Sequence, residues 1–242
     1  MSEGGPAAVV DVVEVATPRG PGRLHLHRHP HPHLHPRPDP DPAERARRRP
    51  RTRREDTSSP ALLLAHGAGG GVDARDLQAL SAAARDGGWL VGRLEQPHVV
   101  AGRRPPAPAA HLDDAFRRAA DVLREHVGAA GPLVVGGRST GARVACRTAT
   151  AVGAVAVLGL ALPLHPPGRP ERSRAHEAEA VLDAGLPVAV AQGARDRFGT
   201  AADVRDALPR VHVVEVSGAG HDLRGLDEEH LRRLLDHVDP HR

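Results

Sequence analysis

The chain has 242 residues, one cysteine and only 1% aromatic residues. This length suits one α/β domain with its own core. A single cysteine excludes an internal disulfide, and the scarcity of aromatic rings argues against a base-stacking surface for single-stranded nucleic acid.

The formal net charge of +3 is unevenly distributed along the chain. Residues 43–54 hold seven Arg and one Glu, a charge of +6, so the remaining chain carries 3 − 6 = −3. The basic character therefore belongs to one segment, and residues 45–54 are a candidate contact for nucleic acid or an acidic partner. Solvated charge without such a role is the simpler interpretation.

The beginning of the chain shows no targeting or membrane signal. Acidic residues interrupt the first 20 residues, so no signal peptide is predicted, and the longest apolar run, 154–164, is too short to span a bilayer. We expect a cytoplasmic protein without a membrane partner.

Three regions follow one another in the sequence. Residues 1–28 contain two short strand-like segments separated by a Pro/Gly turn, which predicts an N-terminal antiparallel hairpin of the sheet. Residues 29–59 alternate His with Pro and then become Arg-rich, which predicts a disordered insertion because closely spaced prolines prevent a hydrogen-bond ladder. Its histidines could bind a transition metal loosely, although a loop without chemistry is the simpler interpretation. Residues 60–242 form the predicted core domain.

Strand and helix patterns alternate through the core domain. The predicted strands, hairpin included, are 9–15, 23–27, 61–65, 89–94, 132–135, 155–162, 187–191 and 211–216. The predicted helices are 73–87, 111–127, 142–150, 171–184, 201–207 and 226–238, with a Pro/Arg-rich loop over 95–109. This alternation predicts a doubly wound, mainly parallel sheet covered on both faces, with the functional site at the carboxyl ends of its strands.

A Gly137-x-Ser139-x-Gly141 pattern joins a predicted strand to a predicted helix. This is the pattern of a nucleophile elbow, in which a sharp turn exposes the serine hydroxyl and the glycines avoid crowding at the crossing. Ser139 is therefore the candidate nucleophile. An ordinary turn serine is the alternative.

The partners that such a serine needs follow two later strands. His221, after Gly218-Ala219-Gly220, is the candidate base that takes the serine proton, and Asp196 is the candidate acid that orients the imidazole. The order Ser, Asp, His is the one expected for an elbow nucleophile. Asp203 is a rival acid.

Further candidates surround these three residues. The N–H groups of Thr140 and of Ala68, with Gly69 as fallback, are the expected oxyanion donors, and His66 is expected to support the loop that holds them. His165 and Arg169 follow a strand and are predicted at the rim of the substrate site, where Arg169 would hold a substrate carboxylate or phosphate. A surface turn is an equal alternative.

In these residues the sequence resembles the α/β-hydrolases. More narrowly, it resembles the group that contains the testis-expressed hydrolase-like proteins and a subunit of the NSL complex. Enzymes similar to dienelactone hydrolase form the wider group around it. The resemblance covers about 60–240 and the first hairpin. It departs from the pattern at Thr140, where Met is common, and at Ala142, where Gly is common. The segments that carry it are His66–Gly70, Gly136–Arg143, Pro163–Pro170, Gln192–Asp196 and Gly218–His221.

The resemblance implies an α/β-hydrolase fold and, for some relatives, a scaffold role without turnover. We expect a serine hydrolase, esterase-like, that acts on a small acyl substrate, with a non-catalytic binding or scaffold protein as the alternative. No segment between Val155 and Asp196 is long enough for a separate lid domain. The sequence has no Walker-type phosphate loop and no G-x-G-x-x-G after a strand with an acidic partner, which argues against a nucleotide cofactor. We expect no cofactor and no metal.

Overall fold

The computed structural model describes residues 10–27, 59–103, 107–127 and 131–241. Within these residues one sheet contains eight strands. They are β1 Val10–Val15, β2 Gly22–His27, β3 Ala61–Ala65, β4 Leu90–Glu95, β5 Leu133–Arg138, β6 Ala156–Leu160, β7 Val188–Gly193 and β8 His212–Val216. The helices are α1 Arg75–Asp86, α2 Pro97–Val100, α3 Ala109–Val127, α4 Thr140–Thr148, α5 His176–Asp183, α6 Ala201–Ala207 and α7 Glu228–Val238.

The strand order is β1-β2-β4-β3-β5-β6-β7-β8. From β4 to β8 all neighbours are parallel, whereas β1 and β2 form an antiparallel hairpin whose second strand pairs antiparallel with β4. This is the α/β-hydrolase fold, with the N-terminal hairpin at one edge, as the sequence predicts.

Apolar helix faces cover both sides of the sheet. On one side α1 and α7 bury aliphatic residues such as Leu80 and Leu234, and on the other α3 and α4 bury residues such as Phe116 and Ala145. The strand β3, with the sequence Ala-Leu-Leu-Leu-Ala, is buried at every position, as are β6 and β7. Burial on both faces explains the uninterrupted apolar sequence of β3.

Two segments differ from the prediction. The predicted 95–109 loop contains the short helix α2, which begins with Pro97 at its first position, where the missing N–H of proline costs nothing. The predicted 171–184 helix starts only at His176, because the chain after Pro170 makes turns before it enters α5.

The predicted insertion, 29–59, lies outside the described residues apart from Ser59. Between β6 and β7 the chain contains one helix, α5, and no separate lid domain. None of the helices in the described ranges has the length and apolarity needed to cross a bilayer.

Candidate active site

Ser139 lies in a sharp turn between β5 and α4. Its backbone has φ 52° and ψ −113°, a conformation that is strained for a residue with a side chain, and its N–H donates to Leu160 O at 2.8 Å. A Cβ added at Gly137 or Gly141 would lie 2.4 Å or 2.0 Å from the carbonyl oxygen of Ala65. Both glycines are therefore required by the close approach of β3, and the turn has the shape of a nucleophile elbow.

The turn brings Ser139 to the two partners that the sequence predicts. His221 Nε2 lies 2.9 Å from Ser139 Oγ, and His221 Nδ1 lies 2.7 Å from Asp196 Oδ2. Since a carboxylate only accepts, Nδ1 carries the imidazole hydrogen and Nε2 is left to accept from the serine hydroxyl. The three side chains form one continuous chain of hydrogen bonds.

Asp196 is held on both of its oxygens. It is 1% exposed; Oδ1 accepts from the N–H of Phe198 at 2.8 Å, and Oδ2 accepts from the side-chain amide of Gln192 at 3.1 Å. The same amide nitrogen lies 3.2 Å from Leu162 O and 2.6 Å from Gly199 O. Sequence reasoning missed Gln192, although its place at the carboxyl end of β7 is the signal that could have found it.

The His221 loop is fixed by contacts from two sides. The ring of Phe198 packs against the imidazole with centroids 4.3 Å apart. Arg138, the residue before Ser139, donates from Nη2 to His221 O at 3.0 Å and from Nε to Asp76 Oδ2 at 2.7 Å. Arg138 therefore ties the elbow to the histidine loop and to α1, a role that its sequence position alone did not suggest.

The predicted oxyanion donors lie on adjacent segments. Thr140 begins α4, where the first N–H groups of a helix have no intrahelical acceptor. Ala68 follows β3, and Thr140 and Ala68 line one small pocket. Gly69, the fallback, is exposed in the same loop.

His66 supports the Ala68 loop rather than facing Ser139. Its Nδ1–H donates to Gly67 O at 2.8 Å, and its Nε2 accepts from the N–H of Gln96 at 3.2 Å. The ring is 4% exposed, and this burial lowers the pKa of His66 below its usual 6.5. The neutral ring thus bridges the loops that follow β3 and β4.

The rim candidates lie on the segment after β6. His165 Nδ1 bonds to Pro166 O at 2.9 Å, and its backbone N–H donates to Phe198 O at 3.1 Å, which attaches this segment to the Asp196 loop. Arg169 is exposed further along the same segment. The rival acid, Asp203, does not contact His221. Its Oδ2 accepts from the backbone N–H and from the hydroxyl of Thr200, each at 2.8 Å, and these bonds cap α6.

The elbow helix is anchored on its far side by ion pairs. Arg143 binds both oxygens of Glu177 at 2.7 and 2.6 Å, and Arg147 binds both oxygens of Asp113 at 2.9 and 2.7 Å. Cys146 lies buried beside them, and burial raises the pKa of its thiol to about 12. This thiol is therefore a core group, because at neutral pH it is not ionised.

Comparison with solved structures agrees with this fold. A lidless α/β serine hydrolase from Xanthomonas campestris has a TM-score of 0.66 at 18% identity over 97% of each chain. Dienelactone hydrolase from Anabaena variabilis has a TM-score of 0.64 at 15% identity, over 96% of this chain and 98% of that one. A thermophilic esterase from the Planctomycetes species Thermogutta terrifontis has a TM-score of 0.60 at 18% identity, over 96% and 93%.

A comparison with curated protein sequences finds no match. The sequence model of the α/β-hydrolase domain, in contrast, matches residues 58–237, which include the elbow, the Asp196 loop and the His221 loop. The match spans most of the chain and includes Ser139, Asp196 and His221. The chain therefore belongs to the α/β-hydrolase family.

Proposed function

We propose that the protein is a serine hydrolase that cleaves small esters or related acyl substrates through Ser139, His221 and Asp196. The observation that carries the proposal is the pair of hydrogen bonds at 2.9 and 2.7 Å that joins the three side chains. A serine hydroxyl becomes nucleophilic when a base accepts its proton, and a buried carboxylate stabilises the imidazolium that forms.

The reaction runs in two halves. Ser139 Oγ attacks the acyl carbonyl carbon while His221 Nε2 takes the hydroxyl proton, and the N–H groups of Thr140 and Ala68 hold the oxyanion. The alcohol or thiol leaves with the proton from His221. Water then attacks the acyl-enzyme and gives one proton to His221, which returns it to Ser139 as the acid is released.

The open site supports small or flexible acyl substrates. The chain between β6 and β7 holds only α5, so the described residues provide no separate lid to enclose a long acyl chain. We expect p-nitrophenyl acetate or butyrate to be hydrolysed better than the palmitate ester. A reversed preference would contradict this part of the proposal.

The narrower placement, beside the testis-expressed hydrolase-like proteins and the NSL-complex subunit, is also a proposal. It is supported by the segments around His66, Ser139 and His165, and it brings with it the alternative of a scaffold without turnover. That alternative would gain weight from a serine, histidine and aspartate too far apart to interact. In this structure they lie within hydrogen-bond distance.

Fluorophosphonate labelling tests the proposal directly. The wild type should be labelled, Ser139→Ala and His221→Ala should not, and Ser217→Ala, which changes an exposed loop serine, should react like the wild type. A well-folded wild type that remains unlabelled would favour the scaffold role, and an ester and thioester panel would follow a positive result.

Binding of nucleic acid or an acidic partner through residues 45–54 remains a separate prediction, on residues outside the described ranges. Replacement of 28–59 by a short Gly/Ser linker should abolish such binding together with its salt dependence. Binding that survives the replacement would reject the idea.

A further inference from the structure

A small pocket lies directly beside the proposed oxyanion donors. Its walls come from the loop after β3, the start of α2 and the helices α3 and α4, and they include Ala68, Thr140, Leu112 and Val144. Its volume is about 10 Å³, roughly the room for one water molecule. A group bound there would sit next to a carbonyl oxygen held by Ala68 and Thr140.

Two residues that line this pocket carry a buried side-chain atom without a hydrogen-bond partner among the described residues: Gln96, at Oε1, and His98, at Nδ1. Gln96 is 2% exposed, and its amide nitrogen lies 3.4 Å from Leu112 O. That contact fixes the amide orientation, because the opposite one would place two carbonyl oxygens against each other. An unsatisfied buried acceptor is costly, so Gln96 Oε1 favours a ligand that donates a hydrogen bond.

The lack of charged groups in the described lining of the pocket limits which substituents it can bind. Burial and then the neighbouring His66 lower the pKa of His98, so its ring is neutral at neutral pH and offers one donor and one acceptor nitrogen. No Arg or carboxylate in the described part of the chain lines the pocket. A charged substituent would lose its hydration without a counter-charge, and an alkyl substituent would leave Gln96 Oε1 unpaired.

We propose that this pocket binds a hydroxyl group on the substrate, one or two carbons from the reactive carbonyl, so that the enzyme prefers short hydroxyacyl esters. The inference rests on the proposed function, since it places the reactive carbonyl at Ser139. The substrate hydroxyl donates to Gln96 Oε1 and accepts from His98, in the space that one water molecule would fill.

Two matched ester pairs test the preference in the wild type. Methyl glycolate is compared with methyl propionate, and methyl 3-hydroxypropanoate with methyl butanoate, by kcat/KM in a pH-stat. Each value is divided by the rate of hydroxide-catalysed hydrolysis of the same ester, because a nearby hydroxyl activates the carbonyl by itself. We expect a preference of about tenfold for the hydroxyl ester in at least one pair, the effect of one satisfied buried hydrogen bond.

Gln96→Met keeps the side-chain length but removes the acceptor, so it should reduce that preference to within about twofold while fluorophosphonate still labels Ser139. Gln78→Met, the same change on the exposed face of α1, should keep the preference. The inference about the pocket would be overturned if the corrected kcat/KM values in both ester pairs agree within twofold in the wild type. It would also be overturned if Gln96→Met keeps the full preference. Neither result would contradict the proposed hydrolase function. An unlabelled wild type that hydrolyses none of the four esters would overturn the proposed function and this inference with it.

Discussion

Two buried glutamines lie at opposite ends of the site, and each has an unpaired Oε1 among the described residues. The side-chain nitrogen of Gln192 contacts three acceptors between 2.6 and 3.2 Å, one of them Asp196. The side-chain nitrogen of Gln96 has one contact at 3.4 Å, and the residue lines a pocket. The many contacts of Gln192 indicate a residue that holds the site together. The few contacts of Gln96 and its position at a pocket indicate a residue that binds a ligand.

The same difference extends to the surroundings of each residue. The acid–base end of the proposed site holds Asp196 and His221: both oxygens of Asp196 are bound, and Phe198 packs against His221. The oxyanion end holds the proposed donors Ala68 and Thr140, and there His98 Nδ1, like Gln96 Oε1, has no partner in the described part of the chain. We infer that the acid–base end is completed by folding, whereas the oxyanion end is completed by substrate.

The largest expected effect comes from breaking the acid–base end. Asp196→Asn should lower kcat about 10³- to 10⁴-fold, because an amide facing Nδ1 favours the wrong imidazole tautomer. Stopped-flow or steady-state ester hydrolysis measures the loss. Asp203→Asn is the matched control and should leave kcat unchanged, since Asp203 caps α6; a loss equal to that of Asp196→Asn would make Asp203 the functional acid.

The same substitution at both glutamines, Gln192→Met and Gln96→Met, tests whether the two residues differ in their contribution to stability. Gln192→Met should lower the free energy of unfolding by about 2–4 kcal/mol, because the carbonyl oxygens of Leu162 and Gly199 lose the buried amide that contacts them. Gln96→Met should lower it by less than about 1 kcal/mol, because it removes one long contact and one unpaired oxygen. Urea denaturation measures both. Equal losses would refute the distinction drawn here.

A smaller effect is expected from the link between the elbow and the histidine loop. Arg138→Met should reduce kcat about tenfold with little change in KM, because His221 loses one of the contacts that hold its loop, and misplaced catalytic groups cost rate. Arg138→Lys should restore part of the rate. A variant whose KM rises at constant kcat would instead place Arg138 in substrate binding.

The smallest expected effect concerns acid stability at the oxyanion end. Burial lowers the pKa of His66, the charge of nearby Glu95 opposes this shift, and His98 is its other titratable neighbour. The unfolded chain therefore takes up the His66 proton before the native protein does, so this contribution to stability is complete above about pH 6.5 and is lost as the pH falls. His66→Gln should flatten the fall in unfolding free energy between pH 7.5 and 5, and an unchanged slope would contradict the assignment.

The sequence predicts the strands, the elbow and the places of Asp196 and His221 because these follow from local signals: apolar runs, Gly-rich turns and the ends of parallel strands. It does not predict Gln96, His98 or Gln192 as site residues. Their roles depend on which backbone carbonyls and cavity walls surround them, and those come from segments distant in the sequence. The α2 helix is a further feature that the sequence does not predict, because the Pro-rich segment around it is typical of a loop.

The connection from β2 to β3 has a consequence for chain length. His27 pairs with Val91 and Ala61 pairs with Leu90, so the ends of the two strands flank β4 at neighbouring positions. They lie two strand spacings apart, about 10 Å, a gap that three or four extended residues would bridge. Since closing a flexible loop costs only about 0.6 kcal/mol more for each doubling of its length, the sheet should tolerate large insertions or deletions here. A change in the number of residues between His27 and Ser59, or a tag added there, should therefore have little effect on the site at the opposite ends of the strands.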